Sequence, residues 1–200
     1  MKIKRYVGGS LESNGYIISN RSKGSCYIID PGYEPKKFID YIEDEGLKLL
    51  GIILTHHHYD HVGGAARIRD YFGVPVMMHE KDALVYKGTV DRQLSDGDVL
   101  NLDGETLQIL NTPGHTWGSI CILSEKSKVV FTGDTIFDTD LGRTDLADGS
   151  PQCMEESCRS ICRSIIDKWS NEYTIYPGHD GSATMKQVRK YNQEFLECLK

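Results

Sequence analysis

No apolar run in this chain approaches the about 20 residues a helix needs to cross a bilayer. The N-terminal MKIKRYVGGS lacks the apolar stretch of a signal peptide. Both absences predict a cytoplasmic protein that does not contact a membrane. Basic clusters are missing too, and the formal net charge is -6, which argues against a nucleic-acid binder driven by phosphate contacts. None of the six cysteines (Cys26, Cys121, Cys153, Cys158, Cys162, Cys198) forms a CxxC pair, so reduced thiols are expected. Cys158 and Cys162 share a helical face with Met154, Ile161, Ile165 and Trp169, the pattern of buried rather than reactive positions. Repeats at solenoid periods and linkers are absent, and 200 residues at 39% hydrophobic content suffice for one core, so a single domain over 1-200 is expected.

What the chain does have is concentrated in Ile52 to Ala66, IILTHHHYDHVGGAA. An apolar strand-like run ends in a histidine cluster that passes directly into helical spacing. Residues two apart on an extended backbone point the same way, so His56 and His58 converge while His57 faces the opposite side. Asp60 and His61 follow where the chain turns into the helix, positioned to serve a second centre, and Gly63 and Gly64 permit close backbone approach. Imidazole and carboxylate are ordinary zinc ligands, which makes His56-x-His58-x-Asp60-His61 a metal motif rather than a solvated His-rich loop.

THHHYDHVGG closely resembles the first metal motif of the metallo-β-lactamase superfamily and, within it, the glyoxalase II (hydroxyacylglutathione hydrolase) branch. The resemblance implies three more ligands in order: His115 in NTPGHTWGS, Asp134 in VVFTGDTIF and His179 in IYPGHD. It covers essentially the whole chain. It implies a four-layer αβ/βα sandwich, an α/β fold of two facing mixed sheets flanked by helices. It also implies two divalent metal ions, one held by His56, His58 and His115, the other by Asp60, His61 and His179, with Asp134 bridging. Zinc is the expected ion, though iron and manganese accept the same donors.

The function expected from this resemblance is binuclear, metal-dependent thioester hydrolysis. A metal can bring a water pKa from above 15 down to roughly 7, and the resulting bridging hydroxide would attack an acyl carbonyl polarised by a metal. Asp60 both holds its metal and serves catalysis by orienting the attacking water or taking its proton. Full-length glyoxalase II proteins continue into a helical extension that anchors glutathione, whereas 21 residues follow His179 here. The expectation is therefore the short, single-domain glyoxalase II-like group, with glutathione specificity open. Two metals, two carboxylates and a hydroxide sum to about +1 locally, so an anionic small-molecule thioester is compatible with an acidic protein. The runner-up is a mononuclear iron persulfide (sulfur) dioxygenase of the same superfamily. A lactamase or lactonase, a nuclease and a non-enzymatic metal-binding module rank lower.

The remaining polar residues have plainer readings. Asp30 in Asp-Pro-Gly is first a turn residue, with support of the metal site as the alternative. His79 lacks a ligand-spaced partner and is expected to be structural. Arg143, in the long loop Asp138 to Pro151, either holds a substrate carboxylate or pairs with a neighbouring aspartate, and the pairing is expected. Lys87 to Asp98 reads as loop. Val188, Tyr191, Phe195 and Leu199 define one terminal amphipathic helix.

Overall fold

Alternation of apolar residues with period two lets each central strand feed two layers at once. In the computed structural model, which describes residues 1–165 and 171–200, and side chains except those of 161–165, Tyr16, Ile18, Ile29 and Ile53 face one way and Ile17, Ile28, Ile52 and Leu54 the other. The inner set meets Ile109, Ile120, Ile122 and Phe131 of a second sheet. The outer set packs under helices through Phe38, Ile42 and Ile68. A third apolar layer joins Cys121, Leu123 and Val130 to Met154, Cys158, Val188 and Phe195. Three apolar layers separate four structural ones, which is the αβ/βα sandwich.

The first sheet runs in chain order: β1 (Lys2–Gly8), β2 (Ser13–Ser19), β3 (Ser25–Ile29), β4 (Lys48–Leu54), β5 (Val76–His79) and β6 (Arg92–Leu94). The β1–β3 pairings are antiparallel and the β3–β6 pairings parallel. On its outer face lie α1 (Pro35–Asp44), the short α2 (Tyr59–Val62), α3 (Ala65–Phe72) and α4 (Glu80–Ala83). The second sheet, also in chain order, comprises β7 (Val99–Leu102), β8 (Glu105–Asn111), β9 (Ile120–Ser124), β10 (Val129–Gly133), β11 (Thr174–Pro177) and β12 (Ala183–Thr184). It is mixed, with β10 and β11 parallel. It is covered by α5 (Pro151–Ile165), α6 (Met185–Tyr191) and α7 (Gln193–Cys198). Among the described residues no helix is long and apolar enough to cross a membrane.

Three details depart from the sequence reading. The stretch Lys87 to Asp98 is not all loop: Arg92–Leu94 is an edge strand of which only Leu94 is buried, too short and polar to show a period. The single helix expected to begin near His61 breaks at Gly63 and Gly64, because the Pro31–Gly32 backbone lies against them. A Cβ on Gly64 would sit 2.4 Å from the Pro31 carbonyl oxygen, which accepts the Gly64 N–H at 2.7 Å. The terminal helix is two helices divided at Asn192, whose buried side chain caps α7 at Phe195 N–H and donates to the carbonyls of Phe137 and Asp140. Met154 and Cys158 are buried as their face predicted, while Ile161, Cys162, Ile165 and Trp169 lie outside the described side chains.

Candidate metal centre

The ends of β4, β10 and β11 and the turn before β9 meet at one rim of the sandwich. Asp30, at the end of β3, fixes the first motif. Its buried carboxylate accepts the Thr55 N–H at 2.7 Å, the Thr55 hydroxyl at 2.6 Å and the His61 Nδ1–H at 3.1 Å. It does so from a left-handed backbone at φ 49°, uncommon for a residue with a side chain. Asp30 thus takes the supporting role that the sequence offered only as the alternative to a turn.

Two groups of donors result. His56, His58 and His115 bring one nitrogen each within 4.8 Å of one another, and Asp60, His61 and His179 do the same with two nitrogens and a carboxylate oxygen. Asp134 stands between them. Its Oδ2 is 4.0 Å from His56 Nε2, 3.4 Å from His115 Nε2 and 3.4 Å from His179 Nε2, while Oδ1 is 3.5 Å from His61 Nε2. Asp60 Oδ2 lies 3.3 Å from His61 Nε2 and 3.4 Å from His179 Nε2. All seven sequence-predicted site residues therefore gather here.

The far nitrogens of three rings are tied down, which points their Nε2 atoms inward. His115 Nδ1 donates to the Arg143 carbonyl at 2.7 Å, His179 Nδ1 to the Leu11 carbonyl at 2.9 Å, and His61 Nδ1 to Asp30. Gly178 makes the convergence sterically feasible: a Cβ there would lie 2.1 Å from Asp134 Oδ1 and 2.8 Å from His61 Cε1.

Charge follows from this packing. Burial, then repulsion from neighbouring imidazoles, holds His56 far below its ordinary pKa, and burial with the same repulsion brings His58 down to about 4. Both present neutral nitrogens, the form a metal takes. For Asp60 burial works to raise the pKa, but hydrogen bonds to His179 and His61 outweigh it and keep the carboxylate ionised. Asp134 is likewise raised by burial and lowered further by His61, His179 and His115. Burial works to lower His61 and His179, yet the surrounding carboxylates raise both, His179 to about 10.

Whether the donors suit cations can be judged from what they lack. His56 Nε2 and Asp134 Oδ1 are buried with no hydrogen-bond partner. His58 Nδ1 faces His115 Nε2 at 2.9 Å and His61 Nε2 faces His179 Nε2 at 3.3 Å, pairs of nitrogens that only a shared proton or a shared cation reconciles. The residues fit divalent ions.

His57 turns away, as its alternation predicted, into a network the sequence did not disclose. Asp82 accepts the His57 N–H and Nδ1–H at 2.9 Å each, the Thr116 hydroxyl at 2.9 Å and the Gly118 N–H at 2.6 Å. One buried carboxylate thereby locks the His56–His58 segment to the turn carrying His115. Nothing in the local sequence around Asp82 signals this, since its partners are 25 to 36 residues away. His57 Nε2 also lies 3.3 Å from Asp148. His79 is structural: its Nδ1 accepts the Lys81 N–H at the start of α4. Arg143 forms two hydrogen bonds to Asp145, at 2.8 and 2.9 Å.

The centre forms the floor of a cavity of about 620 Å³ walled by Leu11, Tyr59, Phe137, Leu141 and Leu146, with Asp140, Arg143 and Asp180 also lining it.

Comparison with known proteins agrees with this geometry. A family model described as the Metallo-beta-lactamase superfamily matches residues 8–185. The hydroxyacylglutathione hydrolase GloC of Haemophilus influenzae is 34% identical, over 92% of each chain. The crystal structure of BLEG-1 B3 metallo-beta-lactamase superposes with a TM-score of 0.86 at 28% identity, covering 96% of this chain and 98% of that one. A di-iron-bound form of TTHA1623 gives a TM-score of 0.81 at 28% identity, covering 94% and 98%.

Proposed function

Because this chain belongs to the metallo-β-lactamase superfamily, we propose that it is a binuclear metal-dependent hydrolase that cleaves thioesters. The observation that carries the reading is Asp134, which stands between two groups of three donors, its Oδ2 facing His56 and His115 of one and His179 of the other, and its Oδ1 facing His61. His56, His58 and His115 would hold one ion, Asp60, His61 and His179 the other, and Asp134 both. Zinc suits these donors, and iron or manganese would be held by the same set. The likeness to GloC supports an acyl-thiol substrate. The five described cysteines are free thiols, in keeping with a reducing cytoplasm.

Bound there, two divalent ions supply Lewis acidity for the acyl carbonyl and a water acidic enough to ionise near neutral pH. The chain's own residues do the rest. Asp60, held ionised, turns Oδ2 toward His61 and His179 and would orient the attacking water or accept its proton. Phe137 and Leu146 wall the cavity and limit the entry of bulk water. Water adds to the carbonyl carbon and the C–S bond breaks, giving a carboxylic acid and a thiolate. A thiolate departs without protonation, so no further acid is required.

The deciding experiment measures metal content of protein purified without added metal, together with hydrolysis of S-lactoylglutathione and a simpler thioester under air and under argon. Close to two metals per chain with oxygen-independent thiol release is expected. One iron per chain, with oxygen consumed on a persulfide and no thioester cleaved, would replace the hydrolase by a sulfur dioxygenase.

A further inference from the structure

The walls between the metal centre and solvent carry a charge pattern that bears on the substrate. Asp140 and Asp180 both line the cavity and are exposed at its mouth. Each is fixed by a buried asparagine from another element. Asn192 Nδ2 donates to the Asp140 carbonyl at 2.7 Å, and that same carbonyl accepts the Phe137 N–H at 3.0 Å. Asn14 Nδ2 donates to the Asp180 carbonyl at 3.0 Å, where the backbone is left-handed at φ 59°. The backbone that carries each carboxylate is therefore anchored at the rim rather than on a loose loop.

Little positive charge opposes them. Apart from His179 at the metal centre, the cation among the described lining residues is Arg143, which pairs with Asp145, and Arg5 donates to the Asp180 carbonyl at 3.0 Å. No ion pair to the side chain of Asp140 or Asp180 forms among the described residues. Negative charge accumulates instead: Glu194 accepts the Leu141 N–H at 2.9 Å, one residue from Asp140. Consistent with this crowding, partial burial and then the charges of Asp180, Glu194 and Asp138 hold the Asp140 carboxyl above its ordinary pKa. Between the carboxylates the surface is apolar, with Leu11, Tyr59 and Leu146 all exposed.

On the thioesterase reading, we propose that the arm of the substrate running from the metal centre to the rim is apolar and carries no net negative charge, so that the thiol half is neutral or cationic. Metal charge at the floor acts on the reacting carbonyl, which every thioester shares. Discrimination between thiols falls to the rim, where Asp140 and Asp180 repel a net-anionic thiol such as glutathione and leave a neutral one unaffected.

The test compares acetyl thioesters of glutathione (net anionic), N-acetylcysteamine (neutral) and thiocholine (cationic) with zinc-loaded protein, at about 20 and about 200 mM salt, where screening of rim charges differs most. At low salt kcat/KM should rank thiocholine and N-acetylcysteamine above glutathione. Added salt should raise the glutathione value about two- to fourfold and leave the neutral one unchanged. Asp140→Asn with Asp180→Asn should reproduce the effect of salt for glutathione alone. By calorimetry, S-hexyl-N-acetylcysteamine should bind more tightly than S-hexylglutathione, with the gap narrowing in the double variant. A glutathione thioester that is the best of the three at low salt, loses rate as salt rises and ignores the double variant would overturn the proposal while leaving the hydrolase intact. Absence of thiol release from all three would overturn the thioesterase reading and the proposal with it.

Discussion

Replacing Asp82 by Asn tests whether one buried carboxylate holds the metal-binding turns in register. Asp82 is 1% exposed and collects four donors, three of them on Oδ2 and the Gly118 N–H on Oδ1. An asparagine offers one oxygen and one NH₂. With its oxygen toward His57 and Thr116, the NH₂ opposes the Gly118 N–H and leaves a buried donor unpaired, costing about 1–3 kcal/mol. The three remaining bonds lose their ionic character, worth about 1 kcal/mol each and less than additive. The total is about 3–5 kcal/mol, the range for breaking a buried pair. For a domain of this size that lowers Tm by roughly 6–20 °C.

The pH dependence of the same variant gives a second signature. Burial works to raise the Asp82 pKa, but its hydrogen bonds and the charge of His57 depress it below 3.8, so its stabilisation is present above that value and lost as pH falls through the depressed one. Burial works to lower His57, but Asp82 and Asp148 raise it above 6.5. Its share is thus complete below 6.5 and lost as pH rises through the raised value. The stability gap between wild type and Asp82→Asn should be widest from about pH 4 to 6.5 and narrow on the alkaline side. Urea unfolding of metal-stripped protein measures it without interference from metal loss. A gap under about 0.5 kcal/mol at pH 6, the size of an ordinary surface change, would refute the reasoning.

Three further outcomes follow from other parts of the molecule. Gly178→Ala should fold with its metal content sharply reduced, because the added methyl meets Asp134 Oδ1 and His61; full metal loading by elemental analysis would contradict this. Asp91, hydrogen-bonded to Arg69 and to the Val76 N–H, titrates at about 2, so its stabilisation is complete above 3.8 and disappears as pH falls through 2. Asp91→Asn should accordingly cost about 1 kcal/mol at pH 7 and almost nothing near pH 2, read from denaturant midpoints. Burial pushes the Cys26 thiol up to about 12 and Cys121 to about 11, so in native protein an aromatic disulfide reagent should leave both unmodified and reach the half-buried Cys153 and Cys198 before them, as mass spectrometry would report.

The legible part of this protein was whatever repeats locally. Ile17 and Ile18, or Ile52 and Ile53, announce strands covered on both faces, whereas the four-layer sandwich followed from the resemblance. His56, His58, Asp60 and His61 are likewise readable because their spacing is itself the geometry. His115, Asp134 and His179 could be named only through resemblance, since each is a lone polar residue after a strand. What stayed hidden depends on partners distant in sequence. Asp82 resembles any helix-start acid until Thr116 and Gly118 are brought against it. Asn192 sits unremarked in an apolar helical period until its side chain finds Phe137 and Asp140, and that attachment divides the helix.

The order of strands along the chain has a kinetic corollary. Every strand of the first sheet precedes every strand of the second, and each pairs only with its neighbours in sequence. Each sheet can therefore zip up from short-range pairings before the two meet. Each of the two ions proposed above would, by contrast, take ligands from both: His56 and His58 with His115, or Asp60 and His61 with His179. Contacts between the sheets, such as the Ile120 N–H to the Thr55 carbonyl and the Tyr16 hydroxyl to the Pro177 carbonyl, form at the same late step. Metal bound as proposed would act as a rivet set after assembly. It should slow the separation of the halves and lengthen the lifetime of the native state while leaving the rate of folding nearly unchanged.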